Sequence, residues 1–294
     1  MKAAPFLMTF AAALAIAPGC CPSAAKPEQK EVCIQLYSLR SIIDGNLEKV
    51  LQDLADMGFT SVEAANYSDG KFYGLSPEDF KAAVEATGMK VLSSHINHPL
   101  DEADFASGDF SGKLAWWDGC IAAHKAAGME YIVTPWMGPQ PDLAHLQLYC
   151  EYLDAIGRKC AEAGLKYGYH NHAYEFEKVE GQVMYDYLLE HTDPANVFFQ
   201  MDVYWTVIGK ASPVDYFKRY PGRFRMLHIK DELEIGQSGM VGFDAIFRNA
   251  GLAGLENYVV EVERYSYDDV EKSVKESIDY LLNAPFVEKA YPVQ

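Results

Sequence analysis

From Glu31 onward, short apolar runs alternate with longer stretches in which apolar residues recur every three or four positions. The runs at 32–37, 59–64, 90–95 and 131–135 have the length of strands and are bounded by turn residues. In the stretch between the first two, Leu47, Val50, Leu51, Leu54 and Met57 fall on one helical face, which predicts a helix over 46–57. Ser76-Pro77-Glu78-Asp79 starts the next helix, with Ser as cap and Pro in the first turn. The same reading predicts helices over 112–127, 141–163, 182–190, 213–219, 243–249 and 268–282. The strands between them fall near 165–170, 197–203, 224–230 and 258–262. Gly at 58, 88, 128, 164, 222 and 251 recurs between a helix and the next strand. Eight such units with no interrupting domain predict one closed parallel (β/α)8 TIM barrel. An open doubly wound sheet is the alternative, weakened because no Gly-x-Gly-x-x-Gly or phosphate loop follows a strand.

Composition fits that fold and narrows its use. A chain of 294 residues, 49% of them hydrophobic, can fill one large barrel core. A net charge of −17 argues against nucleic acid and against anionic membrane surfaces. The first residues read differently from the rest. Lys2, an apolar run to Ala17 and then Pro18-Gly19-Cys20 form a secretory leader over 1–20, of the kind lipidated at Cys20. Residues 21–30 read as a tether, and 31–294 as the barrel. The folded part is therefore expected outside the cytoplasm, as a periplasmic or outer-membrane lipoprotein touching membrane only through its anchor. Cys33, Cys120, Cys150 and Cys160 read as buried free thiols, since Cys150 and Cys160 lie about 15 Å apart on one helix.

The chemistry lies where the strands stop. In such a barrel all eight C-terminal strand ends open on one face, where catalysis occurs. Those ends carry Gln35 and Tyr37, Glu63, His95, Thr134 and Trp136, His170 and His172, Asp202, His228 and Lys230, and Glu261 and Glu263. Each alone has an ordinary explanation. Asp202 would cap the following turn, His228 would be a bonded core histidine, and a Glu would balance Lys230 or Arg264. His124, His145 and His191 fall on helices and read as packing or surface residues, and His98 as a loop residue. Together, Asp, His and Glu on strands six to eight are the chemistry of a divalent ion such as Mn²⁺, Co²⁺, Mg²⁺ or Zn²⁺. No thiolate belongs to the set, which argues against a structural zinc.

These residues resemble the sugar phosphate isomerase/epimerase group of xylose-isomerase-like barrels. The resemblance rests on Ile34-Gln35-Leu36-Tyr37-Ser38-Leu39-Arg40, Tyr169-His170-Asn171-His172 with Glu175-Phe176, Met201-Asp202-Val203-Tyr204-Trp205, His228-Ile229-Lys230-Asp231 and Val260-Glu261. It implies a Glu, Asp, His, Glu metal set from strands five to eight, the last three at Asp202, His228 and Glu261. The first position holds His170 instead, so Glu175 is the expected fourth ligand, with His170 the alternative. The implied activity is proton abstraction next to the carbonyl of a sugar or keto-sugar, giving isomerisation or epimerisation, and the expected export and the charge of −17 favour a non-phosphorylated substrate over the sugar phosphate of the family name. Glu261 or a histidine would be the base, with His172, His95 or Lys230 as acid partner. Gln35, Tyr37, Glu63, Trp136, Tyr204, Trp205 and Glu263 would bind substrate, the aromatics by stacking on sugar faces. The His-x-His pattern also resembles inosose and keto-sugar dehydratases and lyases. A lipid-anchored sugar-binding protein is the reading from another class, and oligomeric state is left open.

Overall fold

The computed structural model describes Met1 and residues 29–291. Eight parallel strands close a barrel in sequential order. They are β1 (Cys33–Gln35), β2 (Ser61–Ala64), β3 (Lys90–His95), β4 (Tyr131–Thr134), β5 (Lys166–His170), β6 (Val197–Asp202), β7 (Met226–Ile229) and β8 (Asn257–Val260). Around them run α1 (Leu47–Met57), α2 (Pro77–Glu85), α3 (Ser111–Ala126), α4 (Leu143–Ala163), α5 (Met184–His191), α6 (Val203–Ile208), α7 (Pro213–Arg219), α8 (Phe243–Arg248) and α9 (Val270–Asn283). This is the single (β/α)8 barrel the periodicity predicts. None of the described helices is long and apolar enough to cross a membrane.

The chain's own signals set most boundaries. Ser76 caps α2 through the Asp79 N–H, with Pro77 in its first turn. Gly58 and Gly164 end α1 and α4 in left-handed conformations. Three of the boundaries that differ from expectation have a visible local cause. Strand one stops at Gln35, because its side chain accepts the Tyr37 N–H and turns residues 36–39 into a 3₁₀ helix. The segment 182–190 begins in a hairpin, Lys178–Val179 with Gln182–Val183, so α5 starts at Met184. The break expected at Gly251 falls at Gly254, after a further turn over Ala250–Ala253.

Inward residues are layered along each strand. On β6, Phe198, Gln200 and Asp202 share one face, since side chains alternate with period two. Phe198 joins Cys33, Leu92, Tyr131, Val133, Met226 and Val259 in a small apolar cluster. A side chain at Gly168 on β5 would meet the Phe198 ring at 2.6 Å, so that position leaves room for the plug. The larger apolar core lies between the strands and the helices.

The leader, Cys20 and residues 21–28 of the expected tether lie outside the described residues. The last two tether residues are held on the barrel: Gln29 Nε2 donates to Gly58 O, and Lys30 Nζ to Leu281 O and Ala284 O. Cys33, Cys120, Cys150 and Cys160 are buried free thiols.

Candidate metal centre and active site

Register delivers the central residues to one level. Asp202 ends β6 directly beside His228 on β7, and the Glu261 N–H donates to Ile229 O just after β8. His228 Nδ1 lies 3.9 Å from Asp202 Oδ2 and 3.6 Å from Glu261 Oε2. One ligand atom from each of the three falls within 4.8 Å of the others, and all three residues are buried.

Two of these atoms have no hydrogen-bond partner: Asp202 Oδ2 and His228 Nδ1. Leaving buried polar atoms unpaired costs about 1–3 kcal/mol each. The donor set, hard carboxylate oxygens with one imidazole nitrogen, suits a divalent ion that would satisfy both atoms at once. The residues present fit such an ion.

Asp202 uses its two oxygens differently. Its Oδ1 accepts the Trp205 N–H at 2.7 Å and caps α6, while Oδ2 faces the cluster. Burial pushes its carboxyl up to about 7. Burial works against charge on Glu261 as well, but His228 and Lys230 hold it well below the usual carboxylate range. For His228, burial opposes the charged form, and Glu261 and Glu63 outweigh it and raise the imidazole.

Glu175, the expected fourth ligand, is bonded elsewhere. Glu175 is fully buried in a 3₁₀ turn, where Oε1 accepts from Tyr169 Oη (2.7 Å) and Oε2 from the His172 N–H (2.8 Å). Burial pushes it up to about 7. Both oxygens are engaged, and Glu175 is not part of the Asp202–His228–Glu261 group. His170, the alternative, lies with its ring 4.5 Å from that of His228 and its buried Nδ1 unpartnered.

Two residues expected to touch substrate are turned inward. Glu63 and Gln35 are fully buried. Glu63 Oε1 accepts from Gln35 Nε2 and His228 Nε2, both at 2.8 Å, and Oε2 from Ser93 Oγ (2.6 Å) and Gln200 Nε2 (2.8 Å). Strand-end position alone cannot separate such a residue from one facing the cavity. Ser93 and Gln200 are absent from the sequence-derived set, and Asn171 enters it only as part of the Tyr169–His172 motif. Ser93 precedes His95 by two residues, and Gln200 precedes Asp202 by two, a spacing that could have found them. Asn171 Oδ1 accepts the Asp202 N–H at 3.1 Å, tying the end of β5 to β6.

The remaining candidates line the mouth. Lys230 is buried, with Nζ 2.7 Å from Glu263 and 3.7 Å from Glu261, below the Tyr204 and Trp205 rings. His95 Nε2 contacts Gln200 Oε1 at 2.8 Å and Glu63 Oε1 at 3.1 Å. His172 stands between Trp136 and Trp205, with ring centroids at 5.1 and 5.8 Å. Burial pushes its imidazole down to about 4, so it is neutral at pH 7. Trp136 and Tyr37 are exposed, and Tyr37 sits on the first 3₁₀ helix under Arg40. Among the helical histidines, His124 packs against Tyr67 and Phe72. His98 stacks on Trp116.

The family model for xylose isomerase-like TIM barrels matches residues 51–284, and the chain belongs to that family. Two solved sugar phosphate isomerase/epimerase structures from Parabacteroides distasonis are similar to it. One is 33% identical, with a TM-score of 0.81, covering 88% of this chain and 100% of its own. The other is 31% identical, with a TM-score of 0.82, covering 91% and 98%. At 14% identity the likeness to IolI, solved with a zinc atom bound, is one of fold: TM-score 0.67, covering 89% of this chain and 99% of that one. No curated protein matches the chain.

Proposed function

We propose that the protein is a divalent-metal-dependent enzyme that removes a proton next to the carbonyl of a non-phosphorylated sugar or keto-sugar. The observation that carries this reading is the pair of unpartnered buried ligand atoms, Asp202 Oδ2 and His228 Nδ1, facing Glu261 at the catalytic end of the barrel. Asp202, His228 and Glu261 would hold the ion, with His170 as fourth ligand. A bound divalent ion supplies Lewis acidity to a carbonyl and its neighbouring hydroxyl.

The chain's own groups supply the rest. His172, kept neutral by burial, accepts the proton from the carbon next to the carbonyl. The Lys230 ammonium donates toward oxygen as negative charge builds there. Trp136 and Trp205 flank His172 and offer faces to the sugar. Lys230 is already paired with two glutamates, and the chain carries a net charge of −17, both of which favour an uncharged sugar over a sugar phosphate.

One observation favours a second outcome of the same proton abstraction. Glu175 is tied to Tyr169 and His172 and is not available as the partner in a two-glutamate exchange. A single base followed by loss of a β-substituent makes the protein a keto-sugar dehydratase or lyase. Incubation of the metal-loaded protein with keto-sugars and glycosides in D₂O separates the cases. Deuterium in an isomeric product supports isomerisation or epimerisation, and loss of water or aglycone supports the lyase. Sugar binding with neither change, in a protein that takes up no ion, would support the sugar-binding reading and end this proposal.

We also propose export with a lipid on Cys20, from the leader pattern alone. Fatty-acid labelling of wild type but not of Cys20→Ala is the expected result, and equal labelling of both would refute it.

A further inference from the structure

Glu63 lies on β2, across the barrel from His228 on β7, and is fully buried. Its carboxyl collects four hydrogen-bond donors: Gln35 Nε2, Ser93 Oγ, Gln200 Nε2 and His228 Nε2. An amide NH₂ can only donate. An ionised carboxyl accepts from all four, whereas a protonated one would have to turn its O–H toward Ser93 Oγ or His228 Nε2. With Glu63 ionised, His228 Nε2 carries the proton between them, and the neutral ring then has its free lone pair on Nδ1. That is the atom without a partner, 3.9 Å from Asp202 Oδ2 and 3.6 Å from Glu261 Oε2.

The same logic reaches His95. Gln200 gives its amide N–H to Glu63, so its carbonyl oxygen faces His95 Nε2 at 2.8 Å and must accept from it. His95 Nε2 also lies 3.1 Å from Glu63 Oε1. The His95 and His228 rings stack at 5.0 Å with 14° between their planes. One carboxylate therefore sets the proton position on two stacked imidazoles.

We infer that Glu63 is a positioning residue: it fixes His228, and through Gln200 also His95, with the proton on Nε2, so that His228 presents Nδ1 to a divalent ion. This rests on the metal-dependent reading above. Carboxylates that hold a ligating histidine from behind orient the ring and raise its basicity, and their loss costs about 10- to 100-fold in metal affinity.

The test uses Zn²⁺ with the purified wild type, Glu63→Gln and Ser93→Ala. Affinity is measured by chelator competition and apo-protein melting is followed in parallel. Glu63→Gln should bind Zn²⁺ about 10- to 100-fold more weakly. Ser93→Ala, which removes a Glu63 partner but touches neither histidine, should stay within about threefold of wild type on the same reasoning. Wild-type Zn²⁺ binding with undiminished affinity in Glu63→Gln, whatever its melting temperature, would overturn the inference and leave the metal reading standing. No Zn²⁺ binding by wild type would overturn the metal reading itself. If Glu63→Gln does not fold, ¹⁵N NMR of the imidazoles in Zn²⁺-loaded wild type decides. Protons on Nε2 of His228 and His95 support the role, and an unprotonated Nε2 on His228 refutes it.

Discussion

The two ends of the barrel both bury charge, but they treat it differently. At the end where strands begin, Glu256 accepts from Tyr131 Oη and Lys166 Nζ and faces Arg225, while Asn257 donates to Tyr131. That cluster closes on itself. At the end where strands stop, Asp202 Oδ2, His228 Nδ1, His170 Nδ1 and His172 Nδ1 have no partner. Because an unpaired buried polar atom is costly, the difference separates charge that supports the fold from charge held ready for something else.

The strongest way to break this contrast is to remove the open end. Asp202→Ala, His228→Ala and Glu261→Ala should each lose bound ion and cost several kcal/mol of transition-state stabilisation, roughly three orders of magnitude in rate. Apo-protein melting should change least in Glu261→Ala, because Asp202→Ala also removes the α6 cap and His228→Ala also removes a partner of buried Glu63. Metal analysis, turnover and calorimetry together check this. Full ion occupancy in the three variants would defeat the site.

A sharper question is whether a missing partner alone marks a site, and His124 asks it. Its Nδ1 donates to Cys120 O, its Nε2 has no partner, and burial pushes it down to about 4. The unfolded chain takes up this proton near pH 6.5, before the folded protein does. Stability therefore falls as pH drops from about 6.5 to 4, by about 3 kcal/mol for this one group. His172 contributes with the same sign. His124→Phe should flatten the melting curve against pH by about 1.4 kcal/mol per pH unit and leave ion binding unchanged. Altered ion affinity would show that α3 is coupled to the mouth.

The closed end gives a smaller effect of the opposite kind. Glu256→Ala takes away the acceptor of the Tyr131 O–H, which keeps only the bond it receives from Asn257, and should cost about 1–3 kcal/mol of stability with no change in ion affinity. Lys166 and Arg225 keep access to water, which limits the loss. Unchanged melting would mean the pairing is not structural. Least of all, Trp136→Ala should weaken sugar binding by about 0.5–1.5 kcal/mol, a two- to tenfold rise in KM with little change in kcat. A fall in kcat alone would place the indole in the chemistry instead.

What the sequence disclosed follows from range. Strand–helix alternation is local, so all eight strands are legible, and Asp202 and His228 are legible as neighbours because consecutive strands pair in register. Glu175 misleads because five residues past His170 looks close enough to serve. Its direction is set by a 3₁₀ turn and by Tyr169, which no spacing rule reveals. Glu63 misleads for the opposite reason, since its partner His228 lies 165 residues away across the barrel. The helix α6 also went unread, its six residues following β6 without a loop.

That absence of a loop joins two properties that are separate in most proteins. Asp202 belongs to a strand, a helix cap and the ion cluster at once, and Tyr204 and Trp205 ride on the helix it caps. The aromatic wall and the charge behind it thus share one anchor, and neither can drift without the other. Asp202→Asn keeps an oxygen for the Trp205 N–H while removing the charge at the ion. On the proposed metal-dependent reading, a barrel with that single change would keep its wall standing and lose the chemistry behind it, so one residue would separate an enzyme from an inert sugar binder.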